Sequence, residues 1–148
     1  MLASKAAERA VELYVSGFNC AEATLLALSE EFGKKVSVIP RIATGFGGGI
    51  GRTGQFCGAL SGAVIAIGLQ VGCDRAEEKE KRVAAAEGVR QMVVEFEKEF
   101  GASQCRVLTG CDLQTKEGRE KYERKELRKT LCPRLVRWTV EFVAEKYR

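Results

Sequence analysis

The stretch from Gly45 to Gly62 constrains this chain most, because it concentrates glycine just ahead of a single cysteine. Five of the sixteen glycines of the chain lie between Gly45 and Gly51, and Cys57 follows shortly after them. Glycine adopts positive φ and lets the backbone approach other groups closely, at a cost in backbone entropy. We therefore expect a loop that delivers Cys57 to a helix start and that serves a neighbouring helix, a turn, a cofactor or a reactive cysteine.

Helical periodicity accounts for most of the remaining sequence. It predicts helices over residues 3–15, 20–32, 57–71, 75–100 and 115–129 and from Cys132 onward, with short ones at 39–44 and 105–108. Asn19 is the predicted N-cap of the second helix, and Asp74 that of the longest. No convincing alternating strand is present. The predicted fold is therefore all-α, a single domain over residues 1–148 with about six or seven helices.

The predicted helix over residues 57–71 is apolar nearly all round, which is typical of a buried central helix. Its Gly58, Gly62 and Ala66 recur every four residues. Such a face of small residues permits close packing of a neighbouring helix.

Composition and charge exclude several classes of function. The net charge of +4 comes from basic residues mixed with acidic ones, so we predict no nucleic-acid partner. No apolar run approaches the ~20 residues of a membrane span, and no signal peptide is visible, so we predict a cytoplasmic protein. Asn19 is the only asparagine, and together with abundant Lys, Arg and Glu it favours a thermophile source. Gly49–Gly54 matches a dinucleotide-binding pattern, but no strand precedes it.

The chain has no histidine and six cysteines. A histidine-ligated haem, a histidine general base and a mixed Cys/His zinc site are therefore excluded. The cysteines are the only soft metal ligands and the only ready nucleophiles. No Cys-x-x-Cys is present, so neither a thioredoxin motif nor a zinc knuckle is predicted.

Four cysteines fall at predicted helix N-termini, and we call them the helix-start cysteines: Cys20, Cys57, Cys105 and Cys132. Unpaired N–H groups and the helix dipole are expected there to lower a thiol's pKa. Cys73 and Cys111 instead follow glycines at predicted helix C-termini. Four thiolates suffice for an iron–sulfur cluster or a Cys₄ zinc site, while small buried hydrophobic cysteines are the alternative.

Four segments in order resemble the C_GCAxxG_C_C family of redox-active proteins. They are Phe18–Ala23, the central Gly45–Gly62 with its Cys-Gly-Ala-Leu-Ser-Gly, Phe100–Leu113, and Leu131–Val136. The resemblance assigns the family's four cysteines to the helix-start cysteines. A similar domain occurs in split-Soret cytochrome c, a homodimeric dihaem protein in which such cysteines are implicated in an iron–sulfur site. This chain lacks Cys-x-x-Cys-His, so haem attachment is not carried over.

The first hypothesis is therefore electron transfer through a 2Fe–2S or 4Fe–4S cluster bound by the helix-start cysteines. The second is cofactor-free thiol–disulfide exchange with Cys57 as the attacking thiol. The third is a structural Cys₄ zinc site, or plain buried cysteines, in an interaction module. Cys111 lies six residues from Cys105, near enough to substitute as a ligand or act as a resolving thiol. By analogy we expect a homodimer, while the sequence assigns no reaction, substrate or redox partner.

Overall fold

The computed structural model describes the backbone of residues 2–148 and the side chains from Lys5 onward. Over these residues it contains eight α-helices, one 3₁₀ helix and no strand beyond an isolated bridge between Phe56 and Gln104. The α-helices are α1 Leu2–Ser16, α2 Cys20–Glu31, α3 Gly58–Val71, α4 Lys79–Phe100, α5 Cys105–Thr109, α6 Lys116–Arg124, α7 Leu127–Thr130 and α8 Cys132–Tyr147; the 3₁₀ helix is Arg41–Phe46. The all-α prediction is confirmed.

The predicted central helix is confirmed as α3, which packs against α2, α4 and α8 within one hydrophobic core. Its small-residue face lies against α2. A Cβ added to Gly62 would lie 2.5 Å from the carbonyl oxygen of Ala21. Because that separation is shorter than any real Cβ contact, only glycine at this position lets the two helices approach so closely.

Asn19 is the N-cap of α2, as predicted, and it forms a full capping box with Glu22. The side chain of Asn19 accepts a hydrogen bond from the backbone N–H of Glu22, and the carboxylate of Glu22 accepts one from the backbone N–H of Asn19. The Asn19 amide also donates to the carbonyl of Thr44, which ties this cap to the 3₁₀ helix. These hydrogen bonds fix the position of Asn19 and thereby of Cys20, the first residue of α2.

Two predicted helix boundaries are wrong. Asp74 does not cap the longest helix, which begins at Lys79, because residues 74–78 form a turn in which the carboxylate of Glu78 accepts the backbone N–H groups of Asp74 and Arg75. The helix predicted over residues 115–129 is divided into α6 and α7, because Glu126 has a positive φ of 51°. This division raises the number of helices above the prediction. No helix in the described part of the chain is long and apolar enough to cross a membrane.

Candidate functional site

Each helix-start cysteine lies at the N-terminus of a helix, as predicted. Cys20, Cys105 and Cys132 are the first residues of α2, α5 and α8, and Cys57 is the N-cap of α3. Four separate helices therefore each carry one cysteine at the end where backbone N–H groups lack partners within the helix.

The helix-start cysteines lie close enough together to influence one another's ionisation. Burial raises the pKa of Cys20 well above its ordinary value, and the charges of the other three thiols raise it further. Cys105 and Cys132 likewise act on the pKa of Cys57. Because charge interactions weaken with distance, these mutual effects place the four thiols in one region of the molecule.

This region borders a cavity of about 790 Å³. Cys20, Cys105 and Cys132 line the cavity, whereas Cys57 is only 4% exposed and lies in the core next to it. A Cβ added to Gly58, the residue after Cys57, would lie 3.2 Å from the Sγ of Cys20. The start of α3 is therefore packed directly against the start of α2.

The glycine-rich loop between the 3₁₀ helix and α3 contains a left-handed turn. Residues 48–52 all have positive φ, between 60° and 73°. Two of them, Ile50 and Arg52, are not glycine, and this conformation costs a residue with a Cβ roughly 1–2 kcal/mol. Strain of this kind persists only where the surrounding structure holds it, and it is concentrated at functional sites.

The end of this loop pairs with the segment before α5, and this pairing holds the backbones of Cys57 and Cys105 close together. The backbone N–H of Cys57 donates to the carbonyl of Ser103 over 2.8 Å, and that of Cys105 donates to the carbonyl of Gln55 over 2.6 Å. Gly49 lies over this pairing, where an added Cβ would be 2.8 Å from the Cβ of Cys105. The glycine-rich loop therefore lies directly against Cys105 at this point.

The predicted lowering of the thiol pKa values is wrong. Burial raises the pKa of Cys57 to about 12, against the opposing effect of hydrogen bonds from the backbone N–H groups of Ala59 and Leu60. Burial, followed by the charges of Cys132 and Cys111, raises the pKa of Cys105 to about 11. Desolvation of the charged form outweighs the helix-start N–H groups. As free thiols, these cysteines are protonated at neutral pH.

Two tyrosines that the sequence analysis missed are linked to Cys132 by hydrogen bonds. The hydroxyl of Tyr122 lies 3.2 Å from the Sγ of Cys132 and 3.4 Å from the hydroxyl of Tyr14. Burial raises the pKa of Cys132, while the hydrogen bond between Cys132 and Tyr122 opposes that shift. Tyr122 is the only aromatic residue in the highly charged α6, which was a signal that it faces inward. Nothing in the sequence indicated its pairing with Tyr14, 108 residues away.

Comparison with known proteins identifies the family of this chain. The family described as "Putative redox-active protein (C_GCAxxG_C_C)" matches residues 18–146, which include all six cysteines. The chain belongs to the C_GCAxxG_C_C family. The predicted resemblance is thereby confirmed, together with the redox-active character in the family's description.

The curated relatives of this C_GCAxxG_C_C protein include an uncharacterized protein of Archaeoglobus fulgidus. The two are 38% identical over 68 residues, which is 45% of this chain and 45% of the relative. The chain thus matches less than half the length of that protein. No solved structure matches the chain.

The two remaining cysteines of this C_GCAxxG_C_C protein differ in position. Cys111 is 1% exposed, and its charge raises the pKa values of Cys105 and Cys132, so it lies beside the helix-start cysteines. Cys73 lies beyond the opposite end of α3, about 20 Å along the helix axis from Cys57, and contacts the guanidinium of Arg82. Cys111 therefore neighbours the site, and Cys73 is remote from it.

In the described structure, the thiols of the site are not positioned to coordinate one metal ion together. Across the residues whose placement is described, no group of three or more Cys, Asp or Glu side chains has an arrangement that could hold a metal ion. The four thiols surround one region without their sulfur atoms being gathered at one point.

Proposed function

We propose that this protein transfers electrons through an iron–sulfur cluster bound by the helix-start cysteines. The observation that carries the proposal is that four thiols from four different helices lie around one region at the edge of a cavity. Cysteine thiolates are the usual ligands of these clusters, and four suffice for a 2Fe–2S or a 4Fe–4S cluster. When bound, the cluster would supply one-electron redox chemistry.

The chemistry of the donor set fits such a cluster. Buried thiols that raise one another's pKa resist ionising while no cation is present, whereas a coordinating thiol is deprotonated by the metal's charge. Hydrogen bonding from the backbone N–H groups of Ala59 and Leu60 already opposes the rise in the pKa of Cys57. In the loaded protein such bonds to a ligand sulfur would tune the reduction potential of the cluster. The surrounding core would keep water from Cys57, which is almost fully buried.

The alternative of cofactor-free thiol–disulfide exchange has less support. An attacking thiol must be ionised to react, and the most effective ones have pKa values near the ambient pH. Burial raises the pKa of Cys57 to about 12, which makes it a poor nucleophile at neutral pH. A structural Cys₄ zinc site would use the same four donors, so only the metal that the protein takes up separates it from the first proposal.

Anaerobic reconstitution with ferrous iron and sulfide tests the proposal. We expect a brown protein that contains iron and acid-labile sulfide and whose colour is bleached by dithionite. Replacing Cys57 or Cys105 by alanine should remove most of the iron, while Cys73→Ala, remote from the site, is the matched control and should retain it. Colourless, iron-free protein after reconstitution would refute the proposal, and stoichiometric zinc without a redox response would favour the structural site.

We also propose that the protein is a homodimer, on the basis of the resemblance to split-Soret cytochrome c. Sedimentation equilibrium of the reconstituted protein tests this proposal, and a mass of one chain would contradict it. The cytoplasmic compartment and the thermophile source stay predictions from the sequence.

A further inference from the structure

The cavity beside the helix-start cysteines is lined mostly by residues other than cysteine. Its volume of about 790 Å³ lies within the range of small-molecule binding sites, roughly 300–1,000 Å³. Only three of its lining residues are cysteines. Three arginines from separate segments also line it: Arg52, Arg119 and Arg128.

Two of these arginines are held in fixed positions by backbone carbonyl groups. The guanidinium of Arg128 stacks 4.2 Å from the ring centre of Tyr14, and its Nη2 donates to the carbonyls of Tyr14 and Phe18 over 2.8 and 3.3 Å. The Nη1 of Arg119 donates to the carbonyl of Leu113 over 3.1 Å. Each guanidinium carries five N–H groups, so both retain donors for a ligand. Fixing the side chain beforehand lowers the entropy cost of binding one.

The third arginine, Arg52, extends from the left-handed turn of the glycine-rich loop. Its φ is 63°, the first part of its side chain lies beside Gly48, and the residue is exposed at the cavity. The other charges at the cavity do not cancel the arginines. Lys129 and Glu126 form an ion pair at 3.7 Å, which leaves Glu123 as the one further carboxylate among the described lining residues. The lining therefore carries an excess of positive charge.

Arg128 is close enough to Cys132 to oppose the rise in pKa that burial causes. Arg52 and Arg119 line the same cavity from the glycine-rich loop and from α6. The positive charge of the cavity wall is therefore spread over several segments and not confined to the neighbourhood of one thiol.

We propose that the cavity binds a small molecule carrying carboxylate or phosphate groups, held by Arg52, Arg119 and Arg128 beside the helix-start cysteines. Planar guanidinium groups match both kinds of oxyanion with paired hydrogen bonds. That the ligand would lie against a redox centre rests on the proposed function, whereas the binding itself requires no metal. The protein would then act on a bound molecule instead of only relaying electrons between proteins.

Isothermal titration calorimetry at low ionic strength tests this proposal, with sodium pyrophosphate and sodium succinate as probes and glycerol as the neutral control. The two anions distinguish a phosphate ligand from a carboxylate ligand. We expect at least one of them to bind the full chain both before and after reconstitution with iron. Arg52→Gln and Arg119→Gln should each weaken binding about tenfold or more, because each removes a charge-assisted contact. The matched control is Arg90→Gln, on the exposed surface of α4.

Circular dichroism first confirms that each variant folds, and two variants keep the test decisive if one does not. Absence of heat with both anions would overturn the proposal, as would affinities that fall equally in Arg90→Gln. Anion binding by a protein that takes up no iron would support this site and refute the cluster. Iron uptake without anion binding would support the cluster and refute the anion site.

Discussion

Replacing Gly62 by alanine tests whether the close contact between α2 and α3 sets the geometry of the site. The added Cβ would lie 2.5 Å from the carbonyl oxygen of Ala21 and 3.1 Å from the Cβ of Thr24. The carbonyl belongs to the backbone, so it cannot rotate away as a flexible side chain would. The two helices must separate until the first distance exceeds 3.0 Å. Because Ala21 follows Cys20 directly, this movement shifts Cys20 relative to Cys57.

The same helix offers an internal reference for the magnitude. Gly68 is exposed on α3, and a Cβ there would meet nothing within 4 Å. Alanine is favoured over glycine inside a helix by about 1 kcal/mol, so Gly68→Ala should stabilise the protein by about that amount. Gly62→Ala gains the same helix propensity but suffers overpacking of about 1–3 kcal/mol. The free energies of unfolding of the two variants should therefore differ by about 2 kcal/mol, which is the cost of the clash alone.

Thermal and urea denaturation of the metal-free protein measure this difference. For a chain of this size about 2 kcal/mol corresponds to a gap of roughly 4–8 °C in Tm, with Gly68→Ala above the wild type and Gly62→Ala at or below it. Iron content after reconstitution is the second readout, and we expect it to fall only in Gly62→Ala. Equal Tm values for the two variants would show that α2 and α3 do not pack as described.

Two further predictions concern the thiols themselves. Folding raises the pKa values of Cys57 and Cys105 from an ordinary 9.0 to about 12 and about 11. The thiols of the unfolded chain therefore ionise at lower pH than those of the folded protein. Their contribution to the free energy of unfolding is complete below pH 9 and is lost as the pH rises through the pKa values of the folded state. Urea denaturation of the metal-free protein at about pH 8 and about pH 10.5 should show this fall, and Cys57→Ala should reduce it; a free energy of unfolding equally pH-dependent in both proteins would contradict the reasoning. In the iron-loaded protein Tyr122→Phe removes a hydroxyl 3.2 Å from the Sγ of Cys132 and should make the reduction potential more negative, because a donor to sulfur stabilises the reduced state. Redox titration measures this shift, Tyr147→Phe on the far end of α8 is the control, and an unchanged potential in Tyr122→Phe would exclude the hydrogen bond from tuning the site.

The positions of the four thiols along their helices could be predicted because helix ends are encoded locally. Asn19 and Glu22 form a capping box three residues apart, and Pro133 follows Cys132 in the first turn of α8, where proline is tolerated. These signals need no knowledge of the tertiary fold. They locate Cys20 and Cys132 at the starts of their helices.

The ionisation of the thiols could not be predicted in the same way. The effect of a helix N-terminus is local, whereas desolvation depends on what the rest of the chain packs over the sulfur. Cys57 is part of the hydrophobic core around α3, and its backbone N–H donates to the carbonyl of Ser103, 46 residues away in the sequence. Similarly, the sequence indicated Asp74 as the start of the longest helix, whereas α4 begins at Lys79, after a turn in which the Glu78 carboxylate accepts hydrogen bonds from the backbone N–H groups of Asp74 and Arg75.

The two opposing influences on Cys57 indicate what kind of chemistry the site favours. Backbone N–H groups at the start of α3 stabilise a sulfur anion, while burial and the neighbouring thiols oppose the free thiolate. A nucleophile that works alone needs the first influence without the second, since it must ionise at neutral pH. A ligand needs both, because its proton is displaced by a metal's positive charge and burial then strengthens the attraction between metal and sulfur. For this reason the raised pKa values, which overturn one expectation from the sequence, support metal-linked redox chemistry over thiol exchange.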